Sequence, residues 1–454
     1  MKLASTPLAC GALVLMLAAP GAFARVTSDE AAGLGKELTP LGAIRAGNAE
    51  GTIPAWDAGI TSPPASYKPG MHHPDPFAGD VPIATITASN VEEFKDKLSP
   101  GQLAMFKRYP DSWKMVIYPS RRSASYPQRI YDRAIGNATT AELTEDGNGV
   151  LNARESIPFP IPQQGLHAVW NHLMRYRGDT VQRIVGQVSP TSGGDYNLVK
   201  IDELIYLAYA HEGASIESIE NRLGFFLQEV TAPARLAGTI LLVHETLNQE
   251  REPRKAWTYN PGQRRVRRAP NIAYDNPGTA SDGQRTSDQL DMFNGAPDRY
   301  SWELKGRQEM YVPYNSYKLH SDSLQYDDII RPGHLNQDVM RYELHRVWAV
   351  DAKLKEGTSH VYARRTFYLD EDSWQIVAAD QYDGRGEIWR VSEAHSINYY
   401  EVPLLWETMM TQYDLQNGRY LAFGLNNQDQ IEVFNEDIDV KGFTPEGLRR
   451  QGRR

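Results

Sequence analysis

Cysteine is almost absent from this chain: the single one, Cys10, lies in the N-terminal leader. That excludes a disulfide framework, thiol catalysis and cysteine-bound metal from everything downstream. Long apolar runs are missing as well. Leu8 to Ala19 is the best candidate, and it falls short of the roughly 20 residues that cross a bilayer as a helix. Positive charge is not in excess. The 57 acidic residues outnumber 48 basic ones, which argues against nucleic acid as a partner. The sequence also lacks G-x-S-x-G, H-E-x-x-H, a phosphate loop and a G-x-G-x-x-G ahead of a helix. No catalytic residue, metal or cofactor is therefore expected. A β-α-β rhythm is missing too, which excludes a parallel nucleotide-binding sheet.

What is present begins with a leader in three parts. Lys2 supplies positive charge, Leu8 to Ala19 an apolar stretch, and Ala22-Phe23-Ala24 a small-x-small cleavage site. Residues 1–24 read as a signal peptide whose removal leaves Arg25 first. Cys10 precedes most of the apolar run, and Pro7 stands where a lipidation signal needs an aliphatic residue. The expectation is an unlipidated protein of the periplasm.

Four zones follow. Residues 25–90, rich in Gly, Pro and Ala, read as an extended arm; Ile53, Trp56, Tyr67 and Phe77 make it too apolar for a loose tether. Residues 91–180 read as helix and loop packed on a sheet. Ser99 opens a helix through Phe106, and Leu166, Val169, Trp170 and Leu173 share a helix face. Residues 181–443 turn to strands joined by short turns such as Asp383-Gly384-Arg385-Gly386, which makes neighbours antiparallel. Residues 270–298 read as a long polar loop. The basic end, 444–454, reads as a flexible tail. The fold class expected is α+β, mainly β: one large curved antiparallel sheet, an open half-barrel, covered by helices and preceded by the extended and helical region. A long twisted sheet curls, and a curled sheet under helices leaves apolar space between the layers.

Several runs carry possible chemistry. Thr144 to Glu155 has calcium-loop spacing, but Thr144 stands where an aspartate is needed, so a surface turn is the plainer reading. His72-His73 has no second ligand cluster in register, and His167 and His172 diverge around a helix, so structural roles are expected for all four. Arg264 to Arg268 suits a solvated hairpin edge, with a docking patch for anionic lipid or an acidic partner as the alternative. Trp257, Tyr259, Trp302, Tyr342, Trp348, Phe367, Tyr382 and Trp389 all lie on expected strands. One by one they suit core packing; as a set they are the candidate lining of a cavity for a hydrophobic, lipid-like ligand.

Leu38-Thr39-Pro40-x-Gly42, Asn48 to Trp56, Tyr67 to Gly70, Pro158 to Pro162 with Trp170-Asn171-His172, Ala256 to Arg268, Phe367 to Asp372 and Tyr382 to Arg390 together resemble a proteobacterial domain-of-unknown-function family labelled outer-membrane lipoprotein-sorting protein. That family is similar to the half-barrel superfamily of lipoprotein carriers. The resemblance implies a periplasmic protein whose incomplete barrel holds acyl chains, working beside an inner-membrane transporter and an outer-membrane protein. It carries no catalytic residue. The functional expectation is a non-enzymatic carrier of a lipid or other hydrophobic molecule between the two membranes. The alternatives are an adaptor of a transporter complex without cargo, and a lipid or polyester hydrolase.

Export should remove residues 1–24. Mass spectrometry of the protein recovered from periplasmic extract should give a chain starting at Arg25; an intact or acylated N-terminus would overturn this reading of the leader.

Overall fold

A computed structural model of the chain describes residues 26–269, 272 and 274–452. The leader and its cleavage site lie outside the described residues. The first strands are β1 (Ala84–Ile86), β2 (Met115–Tyr118), and a separate small hairpin of β3 (Glu142–Leu143) and β4 (Val150–Leu151). A meander then runs through β5 (Thr180–Val188), β6 (Val199–Leu207), β7 (Arg222–Ala232), β8 (Ile240–Thr246), β9 (Lys255–Asn260) and β10 (Arg265–Arg268). A second comprises β11 (Tyr300–Pro313), β12 (Tyr342–Leu354), β13 (Arg364–Asp370), β14 (Ile376–Tyr382), β15 (Ile388–Tyr399), β16 (Leu404–Asp414) and β17 (Tyr420–Leu425), and β18 (Val433–Phe434) follows. The helices are α1 (Ser28–Ala31), α2 (Pro100–Arg108), α3 (Gln128–Thr140), α4 (Gly165–Met174), α5 (Tyr317–His320), α6 (Tyr326–Ile329) and α7 (Pro445–Gln451).

The two meanders join where β17 pairs with β5, giving one large open sheet that does not close into a barrel. Its pairings are antiparallel as expected, with one exception: β2 runs parallel to the start of β12, through Tyr342 and Glu343. The sheet is therefore mixed. β2 comes from the helical region, so no short turn dictates its direction.

Chain order imposes a consequence. β10 and β11 are consecutive strands, yet they lie at opposite ends of the sheet. The linker between them must cross a sheet face. Ser281, Gln284, Arg285, Thr286, Asp288, Gln289, Asp291, Met292 and Phe293 are all buried. The linker touches β5 through Gln187, whose Nε2 donates to Thr279 O and Ala280 O at 3.2 and 2.7 Å. It touches β15 through Arg390, whose Nη2 donates to Gly283 O at 2.8 Å. The expected polar loop is thus an internal plug. Several of its polar side chains are paired rather than solvated: Asp288 accepts from Arg365 of β13 at 2.7 Å and from Thr286 Oγ1 at 2.6 Å.

Helices cover the sheet for local reasons. Ser99 and Gln102 form a capping box on α2, with Pro100 at its first position. Asp380 of β14 meets that N-terminus, accepting from Ser99 Oγ at 3.0 Å and Gly101 N at 3.1 Å. At the start of the region expected as helix and loop, residues 91–98 form two short 3-10 turns, Val91–Glu93 and Lys95–Lys97. The expected flexible tail is α7. Thr444 caps it, and Leu448 is buried beside Phe443, Tyr259, Ile240 and Leu242 of β8 and β9. Basic residues dominate that segment, but one apolar side chain in register is enough to dock it.

The arm is clasped to the sheet by ions. Arg122 donates to both carboxylate oxygens of Asp372, at 2.8 and 2.7 Å, and Arg346 donates to Glu371 at 2.6 Å and to the carbonyls of Ile44 and Ala46. Gly42, at φ +90°, lies where a Cβ would stand 1.7 Å from Pro160 O, so only glycine fits.

Asp288→Asn should leave the Arg365 guanidinium buried without its counter-charge. Urea unfolding is expected to show a loss of about 3–5 kcal/mol. A loss below about 1 kcal/mol, the size of a surface pair, would contradict the internal plug.

Candidate functional site

Cross-strand register builds an apolar floor under the plug. Ile205 of β6, Phe226 of β7, Val243 of β8 and Ala256 of β9 stand directly opposite one another in sequence across the strands. Side chains in such a row share one face. Two adjoining chambers lie along this face. The larger, about 390 Å³, is bounded by Phe226, Leu241 and Val243 of the floor, by Leu290 and Arg285 of the plug, and by Gln228 and Arg254. The smaller, about 80 Å³, reaches Trp170 and Leu173 of α4, Ile205, Leu207 and Trp406. Both share Phe226, Glu245, Leu290 and Asn294. Gly224, opposite Leu207 and bordering the smaller chamber, has its Cα within reach of Tyr206 O, where a Cβ would stand at 2.1 Å.

The rim is charged, and most charges are matched. Arg254 donates to Glu245 at 2.7 Å and its other nitrogens bond Ile272 O and Asn294. Arg183 donates to Glu203 at 2.6 Å, and Gln228 donates to the other oxygen of Glu203 at 2.6 Å. Asp291 of the plug accepts from both Arg175 and Arg177. Burial alone would raise the Asp291 carboxyl, but those two arginines overcome it and hold it down at about 2. His172 Nε2 donates to Asp291 O at 2.8 Å and its Nδ1 accepts from Ile376 N at 3.3 Å; burial together with Arg175 pushes it down to about 3, so it is neutral packing. Glu407 behaves oppositely. Burial, then repulsion from Asp291, raises it well above the ordinary range, and its Oε2 has no partner. Arg285 is the other exception: it is 3% exposed, its Nε has no partner, and its guanidinium lies over Phe423 at 5.4 Å.

The eight aromatic positions do not gather around one space. Trp302 and Phe367 stack at 5.8 Å and, with Trp348, belong to the main core, where Phe293 of the plug meets the first two. Tyr342 belongs to a second core under α2 and donates to Glu393 at 3.0 Å. Trp257 and Tyr259 face α7, with Tyr259 donating to Gly452 O at 2.7 Å. Tyr382 carries Arg364 over its ring, and Trp389 donates to Asp414 at 3.0 Å. None of the eight borders either chamber. The chamber residues that the sequence reading did not single out, Phe226, Leu241, Val243 and Leu290, are ordinary strand and loop residues whose only signal is cross-strand register.

The other chemical runs find structural employment. Thr144 to Glu155 folds through the β3–β4 hairpin, and Glu155 is held by Arg129 and Arg133 at 2.9 and 3.0 Å rather than turned to a shared ion. His73 does meet a partner cluster: its Nδ1 is 3.2 Å from His320 Nε2 and its Nε2 is 2.8 Å from Glu401. His345, Asp370 and Asp372 are the one metal-like triplet among the described residues, but Arg122 occupies both oxygens of Asp372. Ser112 donates to His334 Nε2 at 2.9 Å, a nucleophile-like pair that neither chamber reaches.

The architecture so defined is an open-sheet protein with a plugged apolar cavity. A family profile described as a protein of unknown function, DUF1329, matches residues 85–449, and the chain belongs to that family. An uncharacterised protein of Pseudomonas aeruginosa is 52% identical over 453 residues, the full length of both chains. Among solved structures, a domain described as outer membrane lipoprotein-sorting from Vibrio parahaemolyticus is similar at 13% identity and a TM-score of 0.44, over 63% of this chain and 98% of that one. A DUF1329 family protein of Desulfovibrio piger gives 13% and 0.42 over 60% and 92%, and a LolA superfamily protein of Nitrosomonas europaea 14% and 0.35 over 60% and 93%.

Glu407 supplies a pH test of the cavity wall. A carboxyl raised on folding stabilises the native chain through its protonated form; that contribution is complete below the ordinary value of 4.5 and is lost as pH rises through the folded value. Glutamine keeps the neutral form throughout. The urea midpoint of Glu407→Gln should match the parent at pH 4.5 and exceed it at pH 8. A gap independent of pH would show that Glu407 is not buried as described.

Proposed function

We propose that the chain is a periplasmic carrier that shelters the apolar part of a ligand between the β6–β9 floor and the plug. One observation carries this reading: the opposed pair Phe226 and Val243, with Leu241 beside them, faces a space of about 390 Å³ that the plug borders and does not fill. That size falls within the range of about 300–1,000 Å³ usual for small-molecule pockets. Burying apolar ligand surface there would contribute about 25 cal/mol per Å². No helix among the described residues is long and apolar enough to cross a membrane, and the leader directs the chain out of the cytoplasm. A carrier free to move between membranes, loading from an inner-membrane transporter and delivering to an outer-membrane protein, fits both. An adaptor without cargo would need no roofed space, and a hydrolase would need its Ser112–His334 pair beside one.

The test is to fill the chamber. Purified protein should take up a fluorescent fatty acid at one equivalent per chain, and Val243→Trp should reduce uptake at least tenfold while keeping the parent's circular dichroism. Absence of uptake by the parent, with no lipid recovered by solvent extraction and mass spectrometry, would sink the carrier reading.

A further inference from the structure

Most of the arginines around the plug can be matched to a carboxylate. Arg365 has Asp288, Arg175 and Arg177 share Asp291, Arg183 has Glu203, and Arg254 has Glu245. Arg285 does not fit this pattern. It is 3% exposed and lines the larger chamber. No carboxylate among the described residues lies within ion-pair distance of it, and the carboxylates whose charge acts on it, Glu203 and Asp288, are already bonded to Arg183 and Arg365. Its guanidinium rests against the backbone of Gly278, where a Cβ would stand 3.0 Å from Nη2, and over the Phe423 ring. These contacts hold the group flat without supplying a counter-charge. Burial lowers it only to about 10, with Arg183 adding to the effect, so it remains a cation at neutral pH.

A buried cation without a partner is costly. A cation–π contact offsets part of that cost. An anion brought in by a ligand would offset more, and it would do so in the chamber whose other walls are Phe226, Leu241, Val243 and Leu290. We propose that Arg285 binds the oxyanion head, carboxylate or phosphate, of an amphiphile whose hydrocarbon tail lies along Phe226, Val243 and Leu290. The guanidinium suits either head, because its paired N–H groups match two oxygens of a carboxylate or of a phosphate. This rests on the carrier reading and narrows it: the preferred cargo is an anionic single-headed lipid, and a neutral one is bound more weakly.

The experiment compares lauric acid, dodecyl phosphate and dodecanol, which share one tail, as competitors of the neutral fluorescent probe N-phenylnaphthylamine on the full mature chain. At least one of the two anions should bind the parent about tenfold to a hundredfold more tightly than dodecanol, the size of a charge-assisted hydrogen-bonded contact. Whichever anion binds more tightly identifies the head. Arg285→Gln should lose that preference, bringing the ratio of anion to dodecanol affinity close to one, and Arg285→Lys should keep part of it. Equal binding of acid, phosphate and alcohol to the parent would overturn the proposal and leave the carrier reading standing, as would a preference that survives in Arg285→Gln. Failure of the probe and all three amphiphiles to bind would overturn the carrier reading itself. Should Arg285→Gln not fold, the parent's ranking of the three competitors and the Lys variant decide.

Discussion

The structure depends on the route of one linker. Two antiparallel meanders are joined edge to edge through β17 and β5, which leaves β10 and β11 at opposite ends of the sheet although they follow one another in the chain. The residues between them have to pass over a face. They are polar, and a polar segment can be buried only if its donors, acceptors and charges are met. Asp288 with Arg365 and Asp291 with Arg175 and Arg177 meet that condition. The same crossing makes a roof, and a roof held by ion pairs at fixed points need not follow the floor closely between them. The cavity is therefore a by-product of connectivity before it is a feature of any single side chain.

This also explains how much of the molecule is legible in the sequence. The strands are, because period-2 alternation and short turns are local: the Lys255–Asn260 and Arg265–Arg268 hairpin around Asn260-Pro261-Gly262 is found where its residues place it. The Ser99 cap and the Leu166–Leu173 face are local as well. The plug is not legible, since the partner that makes Asp288 buriable, Arg365, is 77 residues away. α3 is hard to read although Ile130, Tyr131, Ala134 and Ala138 recur at helical spacing, because Gly136, Asn137, Thr139 and Thr140 are weak helix formers. The partner of His73 is not legible either, because His320 reaches it only through the fold.

The candidate site shows the same limit more sharply. Eight large aromatics were the natural lining for an apolar ligand, and each is on or beside a strand. Alternation says that a residue faces one side of a sheet. It does not say which side, nor whether a helix or a gap lies opposite. Tyr259 meets α7, Trp302 meets the plug's Phe293, and Tyr342 meets the core under α2. The chamber is lined by the smaller Leu241, Val243 and Leu290 with Phe226. Large rings fill space; the side chains left around a void are the ones too short to close it.

The two halves of the sheet are also unequally covered. Every residue of β14, β16 and β17 is buried, so both faces of that half are packed. In β7 buried residues alternate with half-exposed ones, and Leu204, Ile205, Tyr206 and Leu207 of β6 are all half-exposed. The plug is tied by its aspartates to β13 and to the end of α4, on the packed side. Toward β7 and β8 it meets the floor across the chamber, with Arg254 as the polar tie. Regions with fewer buried contacts open at lower free-energy cost. A ligand entering from the β6–β9 side would separate the roof from the lightly packed half and leave the ion pairs of the other half intact. The void lies where the sheet yields at least cost, and Arg285, a buried cation with no carboxylate at ion-pair distance among the described residues, stands in its wall.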